Sequence, residues 1–446
     1  LWCYINRSDI ETLFKHHPEI SDYFESLTLF ETKNACFLPR YIYHRFPSNV
    51  LQRYLGKNHN DSFEPIDIEF TGTLREEQKP IINKVLHIYN LHNFVHGIIK
   101  ARPGIGKTVI AAYIVAKLGM KSLIVVDNSN LLNQWVKTFE QFTNIGIDNY
   151  DTFKQQLHYT SAPVTIGMIQ TLTRRLKNDI RSTYDLVNQN NFGLVIYDEV
   201  HNTSAASEFA KGSLLFRTPN ILGLSATPFQ TGVSELLMKY TIGDIIYETH
   251  DYELTPQFKF VFYESELKKN RKYAINKTHD YITRKSMYNK FIVESENYLN
   301  LITSYTHDLL KENHRIMILC FTKKQVQTIS ERLQANNIDN TMFYGDAREI
   351  TYNENVLVTT YAFAGKGFDY ADLSAMILAC PLAGKKSIIQ TVGRILRTVE
   401  NKNTPQVIDL VDMSFPQMFT QELKMKKNII KNEFKCQVNE EHFGDY

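Results

Sequence analysis

Ala101-Arg-Pro-Gly-Ile-Gly-Lys-Thr108 lies between a short apolar run, 97–101, and a run with helical spacing, Lys107–Leu118, and its reading decides the fold. A strand that ends in such a loop and re-enters as a helix aims consecutive backbone N–H groups and a helix N-terminus at one point, which makes a nest for phosphate. Gly104, Ile105 and Gly106 supply the backbone, Lys107 reaches toward the β and γ phosphates, and the Thr108 hydroxyl is placed to hold Mg²⁺. The expected cofactors are ATP and Mg²⁺. Ala101 stands where the common form of the loop has a glycine. Out of context the loop reads as a glycine-rich turn with a solvated lysine, and the strand before it and helix after it argue against that reading.

A nucleotide site of this kind needs an acidic pair at the end of a second strand, and Leu194-Val-Ile-Tyr-Asp-Glu-Val-His201 provides one. Four apolar or aromatic residues place Asp198 at the carboxyl edge of a buried strand, where open α/β sheets bind ligands. Asp198 is expected to coordinate Mg²⁺ through water, and Glu199 to polarise the attacking water as general base. His201 reads either as a hydrogen-bonded structural residue or as a link between the ATP site and the sheet.

Outward from these two stretches, short apolar runs alternate with amphipathic ones, the pattern of parallel sheets covered by helices. Strands are expected at 97–101, 122–127, 164–167, 194–198 and 221–225, with helices at 107–118 and 131–142. A second series after about residue 300 has strands at 316–321, 342–344, 356–359, 375–378 and 407–410, with helices at 323–335 and 387–396. The fold class is α/β: two tandem RecA-like lobes, 71–235 and 301–415, with 236–300 read as a linker plus the entry into the second lobe. Residues 1–70, rich in aromatics and histidine, read as a small α+β accessory domain with a possible role in DNA binding, and 416–446 as a basic tail.

Asp198-Glu-Val-His201, Ser225-Ala-Thr227 and Gln390-Thr-Val-Gly-Arg-Ile-Leu-Arg397 follow in an order that resembles motifs II, III and VI of superfamily 2 helicases, across about 71–412. Leu74-Arg-Glu-Glu-Gln78 resembles the adenine-reading element of that superfamily, which assigns Arg75 and Gln78 to the base. The stretch 125–135 resembles motif Ia of the group containing XPB, RecG-like and phage UvsW-type branch-migrating enzymes. DEAD-box enzymes fit less well, because Gln390 stands where they usually carry histidine.

The resemblance implies that Arg397 is the arginine finger, Arg394 a second γ-phosphate contact and Gln390 a nearby sensor. Their i, i+3 spacing puts both guanidinium groups on one helical face. Taken alone the segment is an amphipathic basic helix with a solvated face. Ser225, Ala226 and Thr227 resemble the coupling motif, although short hydroxyl residues after a strand also serve as simple caps. Val356-Leu-Val-Thr-Thr-Tyr-Ala-Phe-Ala-Gly-Lys-Gly-Phe-Asp369 resembles motif V, with Thr359 or Thr360 on the nucleic-acid backbone and Gly367 and Asp369 facing the nucleotide. Gln134, Trp135, Gln170 and Thr171 fall where the superfamily holds the strand, and Trp135 reads equally as a core residue. Two basic stretches, 268–285 and 424–435, read either as solvated faces or as added nucleic-acid contacts.

Composition limits the remaining choices. At 446 residues with 43% hydrophobic and 22% charged residues, the chain suits two or three globular domains. A net charge of +2 means that any nucleic-acid binding rests on local surfaces. No apolar run is long enough to span a membrane, the N-terminus has no signal-peptide pattern, and five scattered cysteines without a Cys-x-x-Cys pair indicate no structural zinc. A cytoplasmic location is expected. The resemblance implies a monomeric ATP-dependent DNA helicase or translocase that binds branched or forked DNA without sequence preference, tracks 3′ to 5′, and serves replication, recombination or repair. The alternatives are an RNA helicase or transcription-release ATPase, and an ATP-gated junction clamp that does not travel.

Overall fold

The structure, a computed structural model, describes residues 3–21, 31, 35–38, 63–146, 149–200, 212, 214–226, 238–249, 252, 254–278, 280–344, 354–364, 371–382, 384–397, 399 and 401–443. Near the N-terminus β1 (Cys3–Asn6) and β2 (Ala35–Leu38) pair antiparallel, and the helix Arg7–His16 that follows β1 buries Ile10 and Leu13. The chain then divides into two units, Leu1–Thr249 and His250–Tyr446.

In the first unit the expected strands form, with ends shifted by a residue or less: β3 (His96–Lys100), β4 (Ser122–Val126), β6 (Val164–Met168), β7 (Leu194–Asp198) and β8 (Ile221–Ser225). Two more, β5 (Tyr150–Phe153) and β9 (Ile245–Glu248), complete a seven-stranded parallel sheet in the order β5-β6-β4-β7-β8-β3-β9. Successive residues along a strand point to opposite faces. Ile98, Leu123, Val125, Val195 and Tyr197 therefore enter one core, and Ile99, Ile124, Val126 and Ile196 the other. Both faces are covered, which is why these strands are continuous apolar runs rather than alternating ones. The helix Ser129–Phe142 starts two residues before its expected position because the Asn128 side chain accepts hydrogen bonds from the Asn130 and Leu131 amides.

The second unit contains β10 (Gln257–Tyr263), β11 (Ile316–Cys320), β12 (Thr341–Phe343), β13 (Val356–Thr360), β14 (Ala375–Leu378), β15 (Gln406–Asp412) and β16 (Val438–His442). They form a parallel sheet in the order β12-β13-β11-β14-β15-β10-β16. When the strands of each unit are counted from its own first one, both sheets read 3-4-2-5-6-1-7. The two lobes therefore share one topology, and β10 occupies in the second lobe the position that β3 occupies in the first.

That equivalence revises the expected boundaries. Within 236–300 the linker part shrinks: β9 closes the first sheet, and β10, in the stretch read as the entry to the second lobe, lies inside the second sheet between β15 and β16. Lys259 interrupts the apolar run of β10, and β9 is only half-buried, so neither carried a clear strand signal. Residues 416–446 are not a free tail. The helix Pro416–Glu433 packs on the lobe, and its Lys426 is buried with Nζ 2.6 Å from Asp409 Oδ2. Residues 65–70 run along the first lobe through bridges from Pro65 to Met120 and from Phe70 to Thr143, which moves part of the expected N-terminal domain into that lobe. No helix among the described residues is long and apolar enough to cross a membrane.

Candidate nucleotide site

In the first sheet β8 separates β3 from β7, so the phosphate loop leaves one strand, the acidic pair ends another, and Ser225 ends the strand between them. The Ala101 amide donates to the Ser225 carbonyl at 2.9 Å, and the Val200 amide to the Leu224 carbonyl at 3.2 Å, which ties both loops to β8. Ala101 is fully buried in this continuation of β3 and is not among the positive-φ residues, which explains why an ordinary residue serves where a glycine is common. Gly104 and Gly106 do need to be glycine, with φ of +85° and +83°. A Cβ on Gly106 would stand 2.6 Å from Gln78 Nε2.

That contact exists because the Leu-Arg-x-x-Gln element holds the loop from outside. Gln78 is buried, its Nε2 donating to the Ile105 carbonyl at 2.8 Å while its Oε1 accepts from the Arg75 amide at 2.9 Å. Arg75 Nη2 donates to the Gly104 carbonyl at 3.0 Å. Glu77, a variable position of the motif, bridges Arg75 at 3.0 Å and the buried Arg102 of the loop itself. Sequence reasoning passed over Glu77 and Arg102, and their opposite charges three residues or fewer from the motif residues were the only available signal.

At the end of β7 the Asp198 carboxylate is buried and fully engaged: Oδ1 accepts from the Glu199 amide at 2.9 Å and Oδ2 from the Trp135 indole Nε1 at 2.7 Å. Glu199 adopts φ +49°, uncommon for a residue with a side chain, and its Oε1 stands 3.4 Å from Lys107 Nζ. Burial and the neighbouring Glu199 push the Asp198 carboxyl up to about 7, against the opposing pull of Lys107 and the Trp135 hydrogen bond. Two carboxylates thus share a buried site with one lysine. Mg²⁺ fits this donor set, because a divalent cation supplies the missing countercharge to hard oxygen ligands. Asp198 and the half-buried Thr108, one residue into its helix, are the side chains that would hold it.

Several expected strand contacts are placed otherwise. Trp135 has no exposed surface, so the core reading describes it and the nucleic-acid reading does not. The buried Thr171 and Thr359 hydroxyls donate to the Lys154 and Phe343 carbonyls and are turned inward, because burial obliges them to find internal acceptors. Gln134 is half-buried in its helix. Gln170 is exposed just after β6, with Nε2 donating to the Asp127 carbonyl, and Thr360 ends β13. Ser225 is fully buried and Ala226 nearly so. His201, Thr227, Gly367 and Asp369 lie outside the described residues.

In the second unit the helix Lys385–Val392 carries Gln390 and ends earlier than expected, and residues 393–396 continue in tight turns in which the Arg394 amide donates to the Thr391 carbonyl. Arg394 lies within these turns and Arg397 just after them, and both are half-buried. Lys402 Nζ donates to the Arg397 carbonyl at 2.7 Å, and its own pKa is pushed down to about 8 by burial and by Arg397.

Residues 71–230 match the family described as Type III restriction enzyme, res subunit. Among curated proteins, one of Acanthamoeba polyphaga mimivirus described as an ATP-dependent RNA helicase is 26% identical over 85% of this chain and 72% of its own length. Another, described as a helicase, from Invertebrate iridescent virus 6, is 26% identical over 85% of this chain and 88% of its own. The transcript termination protein of Yaba-like disease virus is 22% identical over 82% of this chain and 78% of its own. Two solved structures share the fold at 15% identity: Saccharomyces cerevisiae Dbp5 bound to RNA and ADP BeF3, with a TM-score of 0.53 over 83% of this chain and 95% of that one, and the Type ISP restriction-modification enzyme LlaBIII bound to DNA, with 0.57 over 84% and 32%.

Proposed function

We propose that this superfamily 2 helicase-type ATPase is a motor that couples hydrolysis in its first lobe to movement along nucleic acid, with branched or forked DNA as its track. The observation that carries the reading is the buried Asp198 beside the half-buried Glu199, which faces Lys107, next to a loop with two glycines in the left-handed region. In this reading Lys107 and the loop amides would hold the β and γ phosphates, and Asp198 with Thr108 would hold Mg²⁺, which would supply charge stabilisation to the phosphates. Glu199 orients the attacking water once ATP draws Lys107 away. The resemblance assigns Arg394 and Arg397 to the γ phosphate.

Gln134 and Gln170, neither of them buried, are the remaining backbone contacts, whereas Thr360 is buried like Thr359, its Oγ1 accepting from the Phe363 amide at 3.3 Å. Contacts of this type position a strand without reading it, so binding is independent of sequence. The resemblance adds 3′ to 5′ tracking and branch migration. A clamp that never travels has no need of a general base, and Glu199 with its partner Lys107 argues against it.

A second reading is favoured by two relatives, described as an RNA helicase and a transcript termination protein. Steady-state ATPase activity with no nucleic acid, single-stranded DNA, duplex DNA, forked DNA and RNA, at one salt concentration, separates the two. Stimulation greatest with forks supports the first. Stimulation by RNA alone replaces it with the second, and none by any track sinks both.

A further inference from the structure

The shared strand order shows what the second lobe has in place of a phosphate loop. In the first lobe β3 reaches its helix, Lys107–Leu118, through six residues, 101–106. In the second, β10 reaches the corresponding helix, Glu296–Lys311, only after residues 264–295, which build two helices, Lys269–Lys277 and Tyr281–Phe291, packed on each other. This insertion sits on the carboxyl edge of the sheet. Tyr288 Oη lies 3.2 Å from Tyr263 Oη at the end of β10, Asn289 Oδ1 accepts from Gln325 Nε2 at 3.1 Å just beyond β11, and Lys285 Nζ stands 5.2 Å over the ring of Phe321. Cys320, which precedes Phe321, pairs with Thr360 of β13.

The insertion is anchored by Ile275, Tyr288, Asn289 and Ile292 and charged elsewhere. Residues 268–290 contain eight lysines and arginines and one acid, Asp280, in a chain whose net charge is +2. The remainder of the protein is therefore net acidic. Among the described residues, Arg271 is the one cation of these eight with an ion-pair partner, Glu294. Tyr273 and Ile282 expose 65% and 74% of their surface between the cations, and Tyr281 exposes 39%. The other basic stretch is different: Lys426 is buried against Asp409, and Lys427 is paired with Glu440 at 2.5 Å.

We propose that the helical hairpin 264–295 is a second nucleic-acid-binding element of this chain: its lysines and arginines grip the phosphodiester backbone of a single strand, and Tyr273 and Tyr281 stack on its bases. Cations with interleaved aromatic rings are what a sequence-independent single-strand site requires. The inference rests on the proposed motor function, in that a motor of this kind has to hold a nucleic-acid strand.

The test is the full-length variant Lys268→Glu/Lys269→Glu/Lys277→Glu, three exposed positions, beside Lys424→Glu/Lys427→Glu/Lys431→Glu, which makes the same charge change elsewhere. Binding of labelled oligothymidylate and oligouridylate is measured across a salt series, together with ATPase activity. In the hairpin variant we expect affinity to fall about tenfold or more and the slope of log K against log salt to flatten by about 2, for three lost phosphate contacts on a single strand. Hydrolysis at saturating nucleic acid stays near the parent value, which also shows that the variant is folded. The tail variant binds nearly as the parent does. Equal losses in both variants reduce the effect to net charge and overturn the hairpin proposal, as does an unchanged slope in the hairpin variant while the parent is stimulated by nucleic acid. A parent that neither binds nor is stimulated overturns the motor reading and the hairpin with it, and the relative affinities of the two oligonucleotides tell DNA from RNA.

Discussion

Trp135 illustrates what a residue name can and cannot say. Its place in the sequence matched a strand contact and its type matched a core, and the deciding fact is an indole N–H that points at Asp198 from a fully buried ring. A hydrogen bond to a charged acceptor contributes about 1.5–3 kcal/mol, and 1.4 kcal/mol is tenfold in a rate or equilibrium. Trp135→Phe keeps most of the ring and deletes the donor, so Asp198 loses one of the three groups that hold its carboxylate in the charged form, the others being Lys107 and the Glu199 amide. We expect turnover to fall about tenfold or more, with affinity for nucleic acid changed less than about twofold. Steady-state kinetics beside a binding titration checks this, and the reverse pattern, weak binding with turnover intact, would return Trp135 to the strand. The same lesson applies to Thr171 and Thr359, whose sequence positions fit contact with a backbone while burial commits their hydroxyls to carbonyls inside the protein.

At the scale of elements, most of the legible strands are those buried on both faces, because a parallel sheet sandwiched between helices writes itself as an uninterrupted apolar run; the edge strand β12 is the exception. The illegible ones break that rule for local reasons. Half-buried β9 lies at one sheet edge, β10 carries Lys259, which faces Glu441 of β16 at 2.9 Å, and β16 is largely exposed. In the first lobe the loop, acidic pair and Gln element of the candidate site were legible because each is local in sequence, and the structure brings the three together. Glu77–Arg102 and Trp135–Asp198 were not legible, being contacts across 25 and 63 positions. The helix Pro416–Glu433 was read as tail because its charges look solvated, yet Glu422 and Lys426 face inward one turn apart.

Burial pushes the Glu422 carboxyl up to about 7, with Lys426 opposing. Between the ordinary glutamate value of 4.5 and about 7 the folded lobe holds a proton that the unfolded chain has released, so this group's contribution to stability is full below that window and falls as pH rises through it. Glu422→Gln cannot ionise and should match the parent at acid pH but exceed it at pH 8, by at most about 3 kcal/mol. Urea unfolding at both pH values measures the gap. A variant less stable than the parent at pH 8 would mean that the Lys426 pairing outweighs burial.

For the whole molecule, two lobes of one topology hold different chemistry at equivalent positions: the strand that ends in a phosphate loop in the first lobe ends in a basic helical hairpin in the second. Each lobe has its own hydrophobic core, so each is expected to unfold in its own transition. A ligand stabilises whatever it binds in the native state, by about 2.7 kcal/mol at a hundredfold excess over Kd. Mg-ATP held by the first lobe alone raises only that lobe's transition, whereas Mg-ATP that also engages Arg394 and Arg397 raises both. In Glu199→Gln, chosen to keep ATP intact during the scan, calorimetry should show both transitions moving up with Mg-ATP, and in Glu199→Gln/Arg394→Ala/Arg397→Ala only the first. If the second transition ignores Mg-ATP in the single variant, the arginines do not serve the nucleotide and the two lobes are not joined through it. If it still rises in the triple variant, some other group of the second lobe makes the connection, and the finger must be sought there.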